Sequence, residues 1–106
     1  MRSSRSPAAI AEYREAVRIA PKAANSRYNL GNALSQIPAS LPEAAAEYQA
    51  ALRIEPNNMN AHYRLGGVLA QITSRKTETI AELEIVLRAH PNPGLQRAVD
   101  QLRTHQ

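Results

Sequence analysis

The sequence predicts an all-α fold, a solenoid of stacked antiparallel helix pairs, and two observations lead to this prediction. Prolines recur every 35 residues, and each ends a similar segment: AEYREAVRIAP at 11–21, AEYQAALRIEP at 46–56 and AELEIVLRAHP at 81–91. Residues 7–37 also share 16 identities in 31 positions with residues 42–72, where ordinary amino-acid usage would give roughly two. Because a unit of this size cannot bury its apolar face alone, the copies are expected to stack.

Helical spacing of apolar residues places the individual elements in order. An opening helix is expected over 7–20, followed by a helix with an apolar stripe made of Tyr28, Leu30, Gly31, Leu34 and Ile37. Its partner helix has the stripe Ala44, Tyr48, Ala51 and Leu52. The next unit repeats the pair near 59–72 and 76–89, and a last helix is expected near 94–104. The prediction is therefore six helices and no strands.

Start, stop and packing signals support these helices. Ser40 is expected to act as an N-cap, with Glu43 completing a capping box, and Pro56 cannot continue the helix that precedes it. Gly31 and Gly66 lie in mid-helix, where glycine costs about 1 kcal/mol, so a close approach of neighbouring helices is predicted there. Tyr48 is expected to fill the gap between units.

Composition excludes several classes of protein. The chain has 106 residues, the size of one domain, and no cysteine, so a disulfide scaffold, a thiolate zinc site and a cysteine nucleophile are excluded. No apolar run reaches the roughly 18 residues of a membrane span, and the N-terminus lacks the apolar core of a secretory signal. These two observations favour a cytoplasmic protein. The formal charge of +4, with arginine as eleven of the thirteen basic residues, favours acidic partners.

Catalytic and metal-binding chemistry finds no support in the sequence. The three histidines lie far apart without ligand spacing, and the carboxylates recur four residues apart, which is typical of a solvated helix face. The Gly66-Gly67 pair lies in mid-helix and follows no strand, so it is not a phosphate-binding loop. We therefore expect no enzyme activity, no cofactor and no metal.

The spacing strongly resembles the tetratricopeptide repeat (TPR) family over residues 7–92. The slots of the family pattern are filled by Leu30, Gly31, Leu34, Ala44, Tyr48, Ala51 and Pro56, and again by Leu65, Gly66, Leu69, Thr79, Leu83, Val86 and Pro91. The segment YNLGNAL at 28–34 resembles the subtype found in O-linked N-acetylglucosamine transferase and many bacterial TPR proteins. The chain departs from the pattern in its period of 35 rather than 34 residues, and in the absence of a glycine from the turn within each pair.

This resemblance implies a domain organisation of about two and a half repeats in a right-handed superhelix. Residues 1–6 are expected to form a disordered tail and residues 7–106 a single domain. Within it we expect a half repeat at 7–21, full repeats at 24–57 and 59–92, and a capping helix at 94–104.

The resemblance also implies a function, protein–protein interaction, in which the first helix of each unit lines a concave groove that binds a peptide of a partner. The groove positions are Asn25, Tyr28, Asn29, Asn32 and Gln36 in one unit and Asn60, Tyr63, Arg64, Gly67 and Gln71 in the next. Asparagine can both donate to and accept from a peptide backbone, tyrosine adds contact area, and Arg64 can hold a carboxylate. A complete carboxylate clamp of the kind found in some TPR domains is not expected, because only Asn29 and Arg64 match its slots.

Two other functions remain open at this stage. An apolar face with Ile10, Tyr13 and Val17 on the opening helix lacks the cover that a full repeat would provide, which favours self-association into homo-oligomers. A 35-residue period is also that of pentatricopeptide repeats, which read single-stranded RNA, although the alanine–tyrosine–alanine–proline pattern is that of TPR.

Overall fold

A computed structural model describes residues 7–72 and 75–104 and contains six α-helices in this part of the chain. The helices are α1 (Pro7–Ile19), α2 (Ala24–Leu34), α3 (Leu41–Ile54), α4 (Met59–Gln71), α5 (Lys76–Ala89) and α6 (Pro93–Thr104). A short 3-10 turn, Pro38–Ser40, precedes α3. The described residues contain no strand, so the predicted all-α class is confirmed. The predicted disordered tail, residues 1–6, lies outside the described residues.

The helices stack in sequence order as an α-solenoid. Each one packs chiefly on its neighbours along the chain, and the α2–α3 and α4–α5 pairs have the most extensive contacts. The main core lies between α2, α3 and α4, where the fully buried side chains include Leu34, Tyr48, Leu65 and Leu69. A smaller cluster joins α5 to α6 through Leu83, Leu87 and Val99.

Close helix approach at the two predicted glycines is confirmed. A Cβ atom built on Gly31 would lie 2.8 Å from Cε1 of Tyr48, and one built on Gly66 would lie 2.9 Å from Cδ2 of Leu83. Both contacts lie within a helix pair, α2–α3 and α4–α5. The Tyr48 ring occupies the space that Gly31 leaves inside one pair, and it also belongs to the core cluster that contains Leu65 of the next unit.

The predicted capping box at Ser40 and Glu43 was also wrong. Ser40 is the N-cap residue of α3, but its side chain makes no capping hydrogen bond. Its backbone (φ −103°, ψ 9°) is not the extended conformation that directs a capping hydroxyl toward the first turn. Pro42, in the first turn of α3, has no N–H to be capped, and the Glu43 carboxylate accepts hydrogen bonds from Arg14 of α1 instead.

Asparagine side chains cap the helices that follow two of the repeated prolines. Oδ1 of Asn58 accepts from the backbone N–H of Ala61 at 3.1 Å, and Oδ1 of Asn92 accepts from that of Leu95 at 3.1 Å. Because proline ends one helix and asparagine begins the next, each inter-unit turn is only a few residues long. Short turns of this kind bring consecutive helices into contact.

A partly buried set of polar contacts recurs in both helix pairs, and each set is called a polar tie here. Arg27 on α2 donates to the carbonyl of Pro21 (Nε, 3.3 Å) and to Glu47 on α3 (3.2 Å). Thirty-five residues later, His62 on α4 lies 2.8 Å from the carbonyl of Pro56 and 2.5 Å from Glu82 on α5. Each tie joins a helix to its partner and to the preceding turn. Sequence analysis missed it, although both partners recur at the 35-residue period.

No helix in the described part of the chain is long and apolar enough to cross a membrane.

Candidate functional site

The site is built around Arg64, which α4 projects toward α2. Its Nε donates to the hydroxyl of Tyr28 at 2.7 Å, and its guanidinium carbon lies 5.9 Å from the centre of the Tyr28 ring. The Tyr28 ring packs in turn against Tyr48, with ring centres 5.8 Å apart and planes tilted by 58°. The Arg64 side chain therefore contacts Tyr28, which belongs to an aromatic pair on the two preceding helices.

A concave cavity of about 470 Å³ opens beside Arg64. Its lining combines five residues predicted for the groove with three others: Asn60, Tyr63, Arg64, Gly67 and Gln71, joined by Ser35, Tyr48 and Val68. The Tyr63 side chain is 54% exposed, which leaves most of its ring available for contact. The structure thus gathers all the predicted residues of α4 into one cavity.

Arg64 forms no ion pair with an acidic side chain in the part of the chain that the structure describes. Among residues 7–72 and 75–104, no carboxylate lies within 4.0 Å of the Arg64 guanidinium, whereas Arg14, Arg27 and Arg75 each form an ion pair. An arginine that donates to a tyrosine hydroxyl and lacks a carboxylate presents its remaining N–H groups to an anion, in the fork geometry that suits a carboxylate.

The predicted residues of α2 divide into two groups. Asn25, Asn29 and Gln36 are exposed but do not line the cavity. Tyr28 and Asn32 are half-buried and face other side chains. The Tyr48 hydroxyl donates to Oδ1 of Asn32 at 2.5 Å, and burial raises the pKa of Tyr48. The side-chain oxygen of Asn32 is therefore already hydrogen-bonded within the fold.

Sequence analysis missed Ser35, Tyr48 and Val68 as lining residues. Tyr48 was assigned to packing alone, and it is indeed fully buried in the core, although it also borders the cavity. Ser35 is the C-cap residue of α2, one turn after Gly31, a position that carried no distinguishing residue type. The packing of α3 against both α2 and α4 brings these side chains together.

The face proposed for self-association lies against the core. Ile10, Tyr13 and Val17 all pack on the main core cluster, and each remains half-buried. Tyr13 occupies the position equivalent to Tyr48, which is fully buried.

Within the described residues no cluster of three or more potential metal ligands occurs.

Comparisons with known proteins agree with this architecture. The family model described as "TPR repeat" matches residues 4–37 and 40–72, which correspond to α1–α2 and to α3–α4. One similar solved structure is the "Arabidopsis OM64 TPR domain", with a TM-score of 0.79 and 24% sequence identity over 92% of this chain and 80% of that chain. No curated protein matches the sequence, and the YNLGNAL subtype stays a prediction. Since the family model covers more than half of the residues, the chain belongs to the tetratricopeptide repeat family.

Proposed function

We propose that this chain is a non-catalytic interaction module that binds an acidic peptide segment of a partner protein in the groove around Arg64. TPR repeats indicate a protein–protein interaction scaffold, and the proposal adds where the peptide lies and what charge it carries. The observation on which it rests is the position of Arg64, anchored by Tyr28 at the edge of the cavity without an acidic partner among the described residues.

Charge and hydrogen-bonding capacity support an extended peptide as the ligand. The formal charge of the chain is +4, which favours acidic partners before any contact forms. Asn60 and Gln71 flank Arg64 along the cavity. The Asn60 amide can pair with both the N–H and the C=O of a peptide backbone, whereas Gln71 donates its Nε2 to the Gly67 carbonyl at 3.3 Å and keeps its Oε1 to accept from a peptide N–H. A charged hydrogen bond from Arg64 to a carboxylate would then fix the register of the peptide.

The experiment is a selection from a phage-displayed library of random twelve-residue peptides on the immobilised chain. Enriched peptides are then measured by fluorescence anisotropy on the wild type, on Arg64→Ala and on Arg53→Ala. Arg53 is an exposed arginine on α3, so its replacement removes the same charge away from the groove. We expect acidic peptides whose affinity falls about tenfold or more in Arg64→Ala and is little changed in Arg53→Ala.

Far-ultraviolet circular dichroism shows whether both variants keep the helicity of the wild type. Equal affinity of the wild type and Arg64→Ala for the enriched peptides would contradict the proposal, as would equal losses in both variants. The second result would mean that overall charge, rather than the groove, attracts the peptides.

Self-association through α1 is the second candidate function. It is supported by Tyr13, whose ring stays half-buried where the equivalent Tyr48 is fully buried. Light scattering of the same samples over a range of concentrations tests it. A mass that rises with concentration is expected if the face is an interface, and a constant 11.6 kDa would contradict it.

A further inference from the structure

Gly67 differs from the other glycine residues of the helix pairs because nothing in the fold requires it. A Cβ atom at Gly67 would meet no heavy atom within 4 Å, whereas those at Gly31 and Gly66 would collide with Tyr48 and Leu83. Glycine in mid-helix is unfavourable, and neither packing nor a positive φ explains this one. The missing side chain instead leaves empty space at the surface.

That empty space is the centre of the cavity wall formed by α4. Residues three, four or seven positions apart share one face of a helix, so Asn60, Tyr63, Arg64 and Gln71 surround Gly67, and all five line the cavity. The side chains form a rim, and the bare backbone at Gly67 forms a hollow inside it. The equivalent position in the preceding unit is Asn32, whose side chain is instead bonded to Tyr48.

We propose that Gly67 is a specificity-determining residue, and that the hollow takes an aromatic side chain of the bound peptide next to the acidic group held by Arg64. This inference rests on the proposed function and names the second feature of the ligand. The exposed ring of Tyr63 offers an aromatic contact on one side of the hollow, and the guanidinium of Arg64 offers a cationic face on the other. Val68 and Tyr48 add buried apolar surface to the lining.

The size of the cavity agrees with such an occupant. A volume of about 470 Å³ lies within the range of small-ligand pockets and exceeds what a phenyl ring fills. The rest of the space leaves room for the peptide backbone, which can hydrogen-bond to the Asn60 amide and to Oε1 of Gln71, whose Nε2 donates to the Gly67 carbonyl. A helical residue with a long side chain at position 67 would occupy the hollow and leave the rim unchanged.

The test uses three tetrapeptides as probes: acetyl-Ser-Phe-Asp-Ser-amide, the same peptide with serine for phenylalanine, and the same peptide with asparagine for aspartate. Each is titrated into the isotopically labelled full chain, and affinities are read from backbone amide shifts up to about 10 mM, the range expected for such small ligands. We expect the first peptide to bind wild type about fivefold or more tightly than either of the others.

Gly67→Leu should abolish the advantage of phenylalanine and keep the advantage of aspartate. Because leucine favours helix and a Cβ atom at this position meets no heavy atom within 4 Å, the melting temperature should not fall. Gly67→Ala should give an intermediate loss. Ala81→Leu, which puts the same side chain on an exposed position of α5, should change neither preference.

The outcomes separate this inference from the proposed function. If aspartate is preferred and phenylalanine is not, or if Gly67→Leu keeps the preference for phenylalanine, the hollow is not an aromatic site and the inference is overturned. If aspartate gives no advantage, or if none of the three peptides shifts an amide, the acidic-peptide groove fails together with it.

Discussion

The glycine residues of α2 and α4 have different structural roles. At Gly31 the missing side chain admits the buried ring of Tyr48, and at Gly66 it admits Leu83. At Gly67 it admits nothing from the fold. The sequence places Gly31 and Gly66 on apolar stripes and Gly67 on the groove face, and the distances to neighbouring atoms show what each missing side chain leaves room for.

These distances predict opposite effects for the same substitution. Gly31→Ala should lower the free energy of unfolding by about 1–3 kcal/mol, because Tyr48 is rigid and fully buried and cannot move aside. Gly67→Ala should raise it by up to about 1 kcal/mol, the gain in helix propensity. Gly66→Ala should lie between them, since the end of the Leu83 side chain can rotate away. Urea denaturation followed by circular dichroism measures all three, and equal effects at Gly31 and Gly67 would refute the packing argument.

At the scale of the elements, α1 is held by two kinds of contact. Its apolar side chains pack on the main core cluster, and Arg14 forms an ion pair with Glu43 of α3. Both side chains of this pair are largely exposed, 49% and 40%, so the pair should stabilise the fold by no more than about 1 kcal/mol. Apolar packing is therefore the main attachment of α1.

The ion pair predicts a pH dependence of known sign. The hydrogen bond from Arg14 lowers the pKa of Glu43 below its usual 4.5. A carboxyl group whose pKa is lower in the folded state stabilises the fold above its unfolded pKa, and this contribution is lost as the pH falls through the folded value. Glu43→Gln should therefore lower the free energy of unfolding by about 0.5 kcal/mol at pH 7.

The difference between wild type and Glu43→Gln should shrink as the pH falls below 4.5. It should also shrink in about 1 M salt, which screens exposed charges. Thermal denaturation of both proteins across this pH range measures it. A difference that stays constant down to low pH would mean that the side chain acts through packing and not through its charge.

For the molecule as a whole, stability is distributed along the stack of helices. The inner helices α2 to α5 each pack on two neighbours, while α1 and α6 each pack chiefly on one. The four largest fully buried side chains also lie in α2, α3 and α4: Leu34, Tyr48, Leu65 and Leu69. Because a repeat protein is stabilised by contacts between adjacent helices, its ends should open before its middle.

Amide hydrogen exchange should follow this order. Protection is expected to be highest in α3 and α4, around Tyr48 and Leu65, and lowest in α1 and α6. Exchange measured by nuclear magnetic resonance gives the protection of each amide. Uniform protection from α1 to α6 would show that the chain opens as one cooperative unit rather than from its ends.

The features that could be predicted from the sequence alone are those that repeat or that depend on near neighbours in the chain. Helical periodicity, the prolines and the recurring small residues predicted six helices, their stacking and the glycines at which helices meet. They also predicted which residues of α4 share one face, and that face became the cavity wall. These features follow from the geometry of a helix, in which sequence spacing fixes direction.

Helix packing determines which polar side chains are hydrogen-bonded within the fold and which remain available to a ligand. Glu43 accepts a hydrogen bond from Arg14 and does not cap its helix. Asn32 accepts from the Tyr48 hydroxyl, and Arg64 donates to the Tyr28 hydroxyl. Each of these pairs joins two different helices. A side chain that has several possible partners forms its hydrogen bond with the partner that helix packing places nearest. Sequence spacing within one helix cannot specify that choice, because it is made by the distance between helices.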